Sequence, residues 1–478
     1  MKRAIGIALL SILAAGTAGA ADLLSVYRDA LANDPTIREA DALRKAAREA
    51  RPQAWAALLP QIQGSGTWTR GRQDTISSQP TPVTDEQGNF LGTQVVPSTR
   101  NSRPDDKRWS FDLRQNLFSW SNLATLRAAK SQVAQAEADY RTAQQGLMQR
   151  VAQRYFAVLA AQDTLEAQQT ALEAFNRQLD QANKRFEVGL IAITDVQETK
   201  AARDQGAAAV IQAKRALATA EEQLREITGQ KYDRLSRPGA EMPLRGPQPE
   251  VEQEWVDTSL DQNPQLLSSR LGADIAREQV RVAFGGHLPE INLVGSYGEN
   301  DTDGRGQFNQ RDGSLSPFLD LPGEGKTRTY GIQVTVPVFS GGLTSSRTRE
   351  SEYRWIAAKE RVTATSRATE RAARDAYLGV QSEMARVQAL RQALESNQTS
   401  LKATEAGYEV GTRTSVDVLD ARRLLVAAQT DYAQSRYAYL QQVIALRAAA
   451  GNLDEATLEE LNALLTETVA PAATQPTP

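Results

Sequence analysis

The chain contains no cysteine. That absence excludes disulfides, thiolate metal sites, cysteine nucleophiles and lipid attachment through an N-terminal cysteine. There is one histidine, and aromatic residues make up only 6% of the chain. The lone His287 precedes Leu288-Pro289 at a helix-to-strand junction, and a catalytic site there would need convergent partners. Neither sign of charge is in excess: 55 Lys and Arg stand against 58 Asp and Glu, a formal charge of −3. A nucleic-acid partner therefore has no electrostatic support. No Walker loop, zinc motif or nucleophile elbow is present. Asp301-Thr302-Asp303-Gly304, with Gly306 and Asp312, has a trace of calcium-loop spacing, but Arg305 occupies a ligand position and no helices flank it. These absences argue against an enzyme and against any bound cofactor or metal. Beyond residue 20 no stretch reaches the roughly 18 apolar residues of a membrane-spanning helix, so any membrane crossing must use β-strands.

What the chain does have is length and helix-forming composition. Its 478 residues suffice for two or three domains. Ala, Gln, Arg and Glu dominate, which favours long helices with narrow seams. Residues 1–20 are expected to be a signal peptide: Lys2 and Arg3 are basic, Ala4 to Ala15 apolar, and Ala18-Gly19-Ala20 gives a small-residue cleavage site.

The chain reads as an internal duplication. Asn33-Asp34-Pro35 recurs as Gln262-Asn263-Pro264, and Leu58-Leu59-Pro60 as His287-Leu288-Pro289. Tyr155 matches Tyr377, Asp195 matches Asp417 and Gly229 matches Gly451. The first repeat, 21–231, is predicted to hold helices over 22–59, broken at Pro35, and strands over 61–69 and 108–118. A long helix over 121–188 and a return helix over 194–228 follow. A Pro/Gly-rich linker, 232–249, leads to the second repeat, 250–453. There helices over 250–288, strands over 290–299 and 329–339, a long helix over 344–410 and a return helix over 415–450 are predicted. Segment 454–468 follows, and the Ala/Pro/Thr-rich 469–478 is expected to be a disordered tail. Segments 71–107 and 300–328, rich in Gly, Pro, Ser and Asp, read as long exposed loops.

The strands alternate. Trp109, Phe111 and Leu113 face one way and Ser110, Asp112 and Arg114 the other; Tyr330, Ile332, Val334, Val336 and Val338 do the same against Gly331, Gln333 and Thr335. Such strands with aromatic ends suit either a transmembrane barrel or a small sheet on a soluble domain. Membrane strands must close, and four per chain need partners: two chains give eight strands, three give twelve. Each long helix spans about 100 Å. The return helices carry a 3-4 spacing, from Val196 and Thr199 to Leu224 and Ile227, that is a coiled-coil seam.

Two near-copies mark the sharp ends of the helical hairpins: Arg185-Phe186-Glu187-Val188-Gly189-Leu190-Ile191-Ala192-Ile193-Thr194-Asp195-Val196-Gln197, and Tyr408-Glu409-Val410-Gly411-Thr412-Arg413-Thr414-Ser415-Val416-Asp417-Val418-Leu419-Asp420. With Gly286-His287-Leu288-Pro289 and Tyr437-Ala438-Tyr439-Leu440, they make the chain, from about residue 21 to about Leu465, resemble the TolC family of trimeric outer-membrane channel-tunnels. The resemblance implies an α+β membrane protein: a trimeric 12-stranded β-barrel, four strands per chain, continued by a long periplasmic α-helical coiled-coil barrel, with an equatorial domain built from the short helices and the C-terminal segment 454–468. It implies an exit duct in the outer membrane of a Gram-negative bacterium, serving multidrug efflux and type I protein secretion. The expected partners are two further copies of the chain, outer-membrane lipid, a periplasmic adaptor (membrane fusion) protein and an inner-membrane RND, ABC or MFS transporter. Two other readings of the pattern are a stand-alone diffusion porin and a soluble periplasmic coiled-coil scaffold.

The resemblance also assigns residues. Links of Asp195 with Tyr408, and of Arg413 with Asp195 and Thr194, are implied as a gate; ordinary helix capping and a solvated Arg are the plainer reading. Gly189, Leu190, Gly411 and Thr412 are implied as the adaptor-docking tip, besides any role of the glycines in ending helices. Asp417 and Asp420, three apart, share a helix face. In a trimer they would form two rings favouring cations; in a monomer they would be a solvated acidic turn.

Overall fold

The computed structural model describes residues 20–239, 241–308, 316–320 and 322–468 of the 478-residue chain. Residues 1–19 of the expected leader and the whole expected tail, 469–478, lie outside the described residues. The first elements are α1 (Leu23–Asn33), α2 (Pro35–Arg48), α3 (Ala50–Ala56), β1 (Gln61–Arg70), β2 (Gln73–Thr84) and β3 (Phe90–Phe118). Then come α4 (Trp120–Glu187), α5 (Ile193–Thr228), β4 (Ser236–Arg237), α6 (Glu252–Gln262) and α7 (Pro264–Gly285). The remainder is β5 (Glu290–Phe308), β6 (Leu319–Asp320), β7 (Gly323–Thr335), α8 (Leu343–Glu409), α9 (Ser415–Ala450), α10 (Glu455–Asn462) and β8 (Glu467–Thr468). Among the described residues no helix is long and apolar enough to cross a membrane.

The described residues form two compact units, one within 48–132 and 273–357, the other within 20–47, 133–272 and 358–468. The first is built on an antiparallel sheet. β3 pairs with β1 and β2 along one edge and with β5 along the other, and β5 pairs in turn with β7 and β6. Opposite partners in such a ladder share a face. One face therefore carries the rows Ile62–Leu113–Gly295–Tyr330, Gly64–Phe111–Tyr297–Arg328, Leu293–Ile332 and Ile291–Val334. The other carries Gln63–Asp112–Ser296–Thr329, Ser65–Ser110–Gly298–Thr327 and Thr67–Arg108–Asn300–Gly325. The apolar face is not covered: Ile62 is 71% exposed, Tyr330 94% and Ile332 66%. From Ile291 to Tyr297 it is roughly 20 Å deep. Trp109 and Tyr297 meet edge-on at 5.5 Å where it ends. The outer edges of β1 and β7 have no partner strand among the described residues.

Segments 71–107 and 300–328, expected as loops, are strands over most of their length. β2 and the first part of β3 form a hairpin from Gln73 to Ser102, and β5 runs on to Phe308. The physical reason is that a strand wet on both faces needs no apolar alternation; its ladder hydrogen bonds hold it. Pro80 and Pro82 lie in β2, an edge strand with one neighbour, where a missing N–H is tolerated. β7 also ends at Thr335, short of the expected 339. Asp301 and Asp303, in the trace of a calcium loop, sit in extended β5, and Lys107 approaches Asp301 at 4.0 Å, while Asp312 lies outside the described residues.

The second unit has its main core where Leu23 and Val26 of α1, Tyr155 and Phe156 of α4, Leu224 of α5, Val380 of α8, Leu440 of α9 and Leu458 of α10 cluster. Pro35 and Pro264 each occupy the first position of their helix, where the lost N–H costs nothing. Tyrosine hydroxyls fasten the segment between α5 and α6: Tyr155 donates to Ser236 O at 2.6 Å and Tyr439 to Arg245 O at 2.8 Å. Tyr437 donates to the Asp163 carboxylate at 2.6 Å. Burial pushes the Asp163 carboxyl up, and burial with the Asp163 charge pushes the Tyr437 hydroxyl up. The long helices are 68 (α4) and 67 (α8) residues, and both return helices are 36. Away from the main core their packing is thin: one cluster of Ala171, Phe175, Ala202 and Leu419, and one of Leu165, Val210 and Ala213.

Candidate functional site

The ends of the two helical hairpins bring most of the singled-out residues together. The α4–α5 turn forms because Gly189 takes φ +77°, a left-handed conformation costly for any residue with a Cβ. Its N–H donates to Phe186 O at 2.9 Å, and Leu190 N–H to Arg185 O at 2.8 Å, satisfying the last carbonyls of α4. α5 then starts behind Ala192, which supplies no side-chain cap. Asp195 lies in its first turn, suited to the helix dipole. Thr199 Oγ1 donates to Asp195 O, but no side-chain partner of Asp195 occurs among the described residues.

The α8–α9 turn uses Gly411 at φ +78°. Thr412 N–H donates to Gly407 O at 2.8 Å, and the Thr412 hydroxyl to the same oxygen at 3.0 Å. Gly407 is needed here because a Cβ would stand 2.8 Å from Arg413 Cγ. Thr414 caps α9: its hydroxyl accepts from Asp417 N–H at 3.2 Å, while Asp417 Oδ2 accepts from Thr414 N–H at 2.9 Å. These are the reciprocal bonds of a capping box. The Thr414 N–H, the Thr414 hydroxyl and the nearby Arg413 charge hold the Asp417 carboxyl below the usual range. Asp420 lies one turn on, 3.4 Å from Arg423 Nη1.

Toward the turns, three side-chain contacts among the described residues join the hairpins within one chain. The Arg185 guanidinium lies 4.8 Å from the Tyr408 ring centre. Arg423 Nη2 donates to Gln205 Oε1 at 3.0 Å. Leu419 packs with Phe175 and Ala202. Asp195 and Tyr408 share no hydrogen bond among the described residues, nor does Arg413 reach Thr194 or Asp195 within the chain. Arg185, Arg423 and Gln205 were not singled out from the sequence. One signal was there: Arg185 stands 222 positions before Gly407, so the two near-copies differ most in side chain at that place. A groove of about 480 Å³, lined by Gln178, Arg185, Glu405, Tyr408 and Arg422 among others, runs beside these contacts. The tips expose apolar side chains: Val188 is 69% accessible, Leu190 73% and Val410 75%. His287 lies elsewhere, its ring 5.8 Å from Phe284. No group of three or more metal-ligating side chains occurs among the described residues.

A family model described as outer membrane efflux protein matches residues 26–230 and 255–452. The outer membrane protein TolC of Vibrio cholerae is 34% identical over 446 residues, covering 93% of this chain and 94% of that one. The alkaline protease secretion protein AprF of Pseudomonas aeruginosa is 29% identical over 440 residues, covering 91% of this chain and 86% of that one. Among solved structures, the Campylobacter jejuni CmeC outer membrane channel matches with a TM-score of 0.69 at 19% identity, over 93% of this chain and 89% of that one. That likeness shows a shared fold. The family model spans both hairpins and both strand regions, and the chain belongs to the outer membrane efflux protein family.

Proposed function

We propose that three copies of this chain close a twelve-stranded barrel in the outer membrane, with a helical conduit on its periplasmic side. The assembly is the exit duct for efflux and type I secretion. The observation that carries the membrane reading is the sheet, with one exposed apolar face, one polar face and two open edges. In hydrocarbon each unpaired N–H or C=O costs several kcal/mol. β7 alone has 13 residues, so roughly six residues point both groups outward along its free edge. A single copy is therefore excluded from lipid. Two copies would give eight strands, a lumen filled by side chains; three give twelve and leave a passage under cyclic symmetry. The matched helix lengths support an internal duplication, so each chain supplies two hairpins and the trimer six tips.

The tips are the gate. Asp195 and Thr194, without side-chain partners among the described residues, take Arg413 of the partner subunit, and Asp195 takes the Tyr408 hydroxyl. Breaking these links lets the inner hairpins swing outward. Leu190, Thr412 and the apolar residues around Gly189 and Gly411 form the surface on which a periplasmic adaptor docks. An inner-membrane RND, ABC or MFS transporter supplies the energy, and the duct itself performs no catalysis. The rings of Asp417 and Asp420 favour cations at the constriction. The test is fractionation after export: unheated trimers in the outer-membrane fraction are expected, and a fully soluble protein would overturn the reading. In planar bilayers, Tyr408→Phe combined with Arg413→Ser is expected to raise single-channel conductance.

A further inference from the structure

We infer that Arg185 is a positioning residue of the tip: its guanidinium, stacked on the Tyr408 ring, braces the first hairpin against the second inside each protomer. This rests on the gate reading above and adds to it a contact made by the face of the ring, not by the hydroxyl. A cation is drawn to the negative face of an aromatic ring, and Arg185 Cζ at 4.8 Å from the centroid is within that range. Both side chains are half-buried, so the attraction is screened less than on an open surface.

The surroundings leave Arg185 little else. Glu405, on the same groove, is engaged by Arg422. Gln178, nine-tenths buried in the groove, has no protein partner for either amide atom. Among the described residues, the stacked pair is the contact that crosses from α4 to α8 at the level of the turns. Arg423 on Gln205 and Leu419 on Phe175 cross from α9 to the first hairpin, so the hairpins stay assembled when Arg185 is changed.

The ring and the hydroxyl can be separated. Tyr408→Phe keeps the ring and the brace; Tyr408→Leu removes both. Trimers carrying Arg185→Gln, Arg185→Lys, Tyr408→Phe, Tyr408→Leu and, separately, Arg413→Ser would be recorded in planar bilayers. Trimer bands on unheated gels and far-ultraviolet circular dichroism serve as fold controls. Arg185→Gln is expected to shift the closed–open balance about two- to fivefold toward open for each brace lost. Arg185→Lys should fall between it and the parent, because the cation is kept without the planar stack, and it carries the test if Arg185→Gln fails to assemble. The double variant Arg185→Gln with Tyr408→Leu should open no further than Tyr408→Leu alone. Parental conductance in Arg185→Gln while Tyr408→Leu or Arg413→Ser opens the channel would overturn the brace and leave the gate standing. Parental conductance in every variant, Arg413→Ser included, would overturn both.

Discussion

At the first hairpin turn the residue ahead of the return helix is Ala192, which gives α5 no side-chain cap; at the second it is Thr414, which caps α9 and is held in return by Asp417. The backbones agree, with Gly189 and Gly411 at φ +77° and +78°, so the divergence lies in the side chains. Gly407 leaves space for Arg413 to fold back over α8, whereas 222 positions earlier Arg185 reaches out to Tyr408. Arg423 reaches Gln205, while its counterpart in the first hairpin is Ala201. The second turn ties Thr412, Thr414 and Asp417 to its own backbone, whereas no side-chain partner of Thr194 or Asp195 occurs among the described residues. In the proposed gate, one capped turn and one uncapped turn would be tied and untied without melting either helix.

The largest effect should come from removing what both turns stand on. The Phe175 ring fills the space beside Gly206, whose added Cβ would lie 3.0 Å from it, and it contacts Ala202 and Leu419. Phe175→Ala should cost about 3–5 kcal/mol locally, because the small residues around it cannot close the cavity. Hydrogen exchange should then rise in α5 and α9 together. A rise confined to α5 would show that the hairpins do not share this base.

Much of this region was legible in the sequence, and the misses have distinct causes. The near-copies around Gly189 and Gly411 were visible because a left-handed residue leaves Gly as its mark. Thr414-x-x-Asp417 also has the spacing of a capping box, yet Asp417 stood out as a ring charge, since sequence alone does not say whether a carboxylate faces its own backbone. The contact of Arg185 with Tyr408 joins residues 223 apart in sequence, and only packing of α4 beside α8 reveals it. The β2–β3 hairpin was missed for another reason. Gly, Pro and Ser there mimic a loop, and its strand character comes from pairing with β3, which leaves no apolar period to read.

The next effect exchanges the caps. Thr414→Ala should cost about 1 kcal/mol at the start of α9, with faster exchange in its first turn and none of that change in α5. Acid should likewise speed exchange in the first turn of α9 in the parent chain. The Asp417 carboxyl is depressed in the fold, so its contribution is complete above the unfolded value of about 3.9 and is lost as pH falls through the folded one. Thr414→Ala should keep a smaller acid-dependent step, because the backbone N–H of residue 414 still donates to Asp417 and only the hydroxyl is lost. Conversely Ala192→Thr places a hydroxyl three residues before Asp195 and completes a second box, adding up to about 1 kcal/mol to the first turn of α5. It also draws the Asp195 carboxylate onto its own backbone. If Asp195 is a gate tie, conductance rises as the cap forms; a formed cap with parental conductance would detach Asp195 from the gate.

The smallest effect separates the two carboxylates of the second turn. Asp417 is kept ionised by the Thr414 N–H, the Thr414 hydroxyl and Arg413, whereas Asp420 lies 3.4 Å from Arg423, which offsets much of its field. At physiological salt, charges are screened over about 8 Å, so an ion in a narrow constriction senses the net charge of each ring. Asp417→Ala should therefore weaken cation preference, read as the reversal potential under a salt gradient, more than Asp420→Ala does. Arg423→Gln should strengthen it by exposing Asp420. If Asp420→Ala has the greater effect, the 3.4 Å pair does not neutralise its ring, and the capped carboxylate of Asp417 is turned to its helix end instead of the passage.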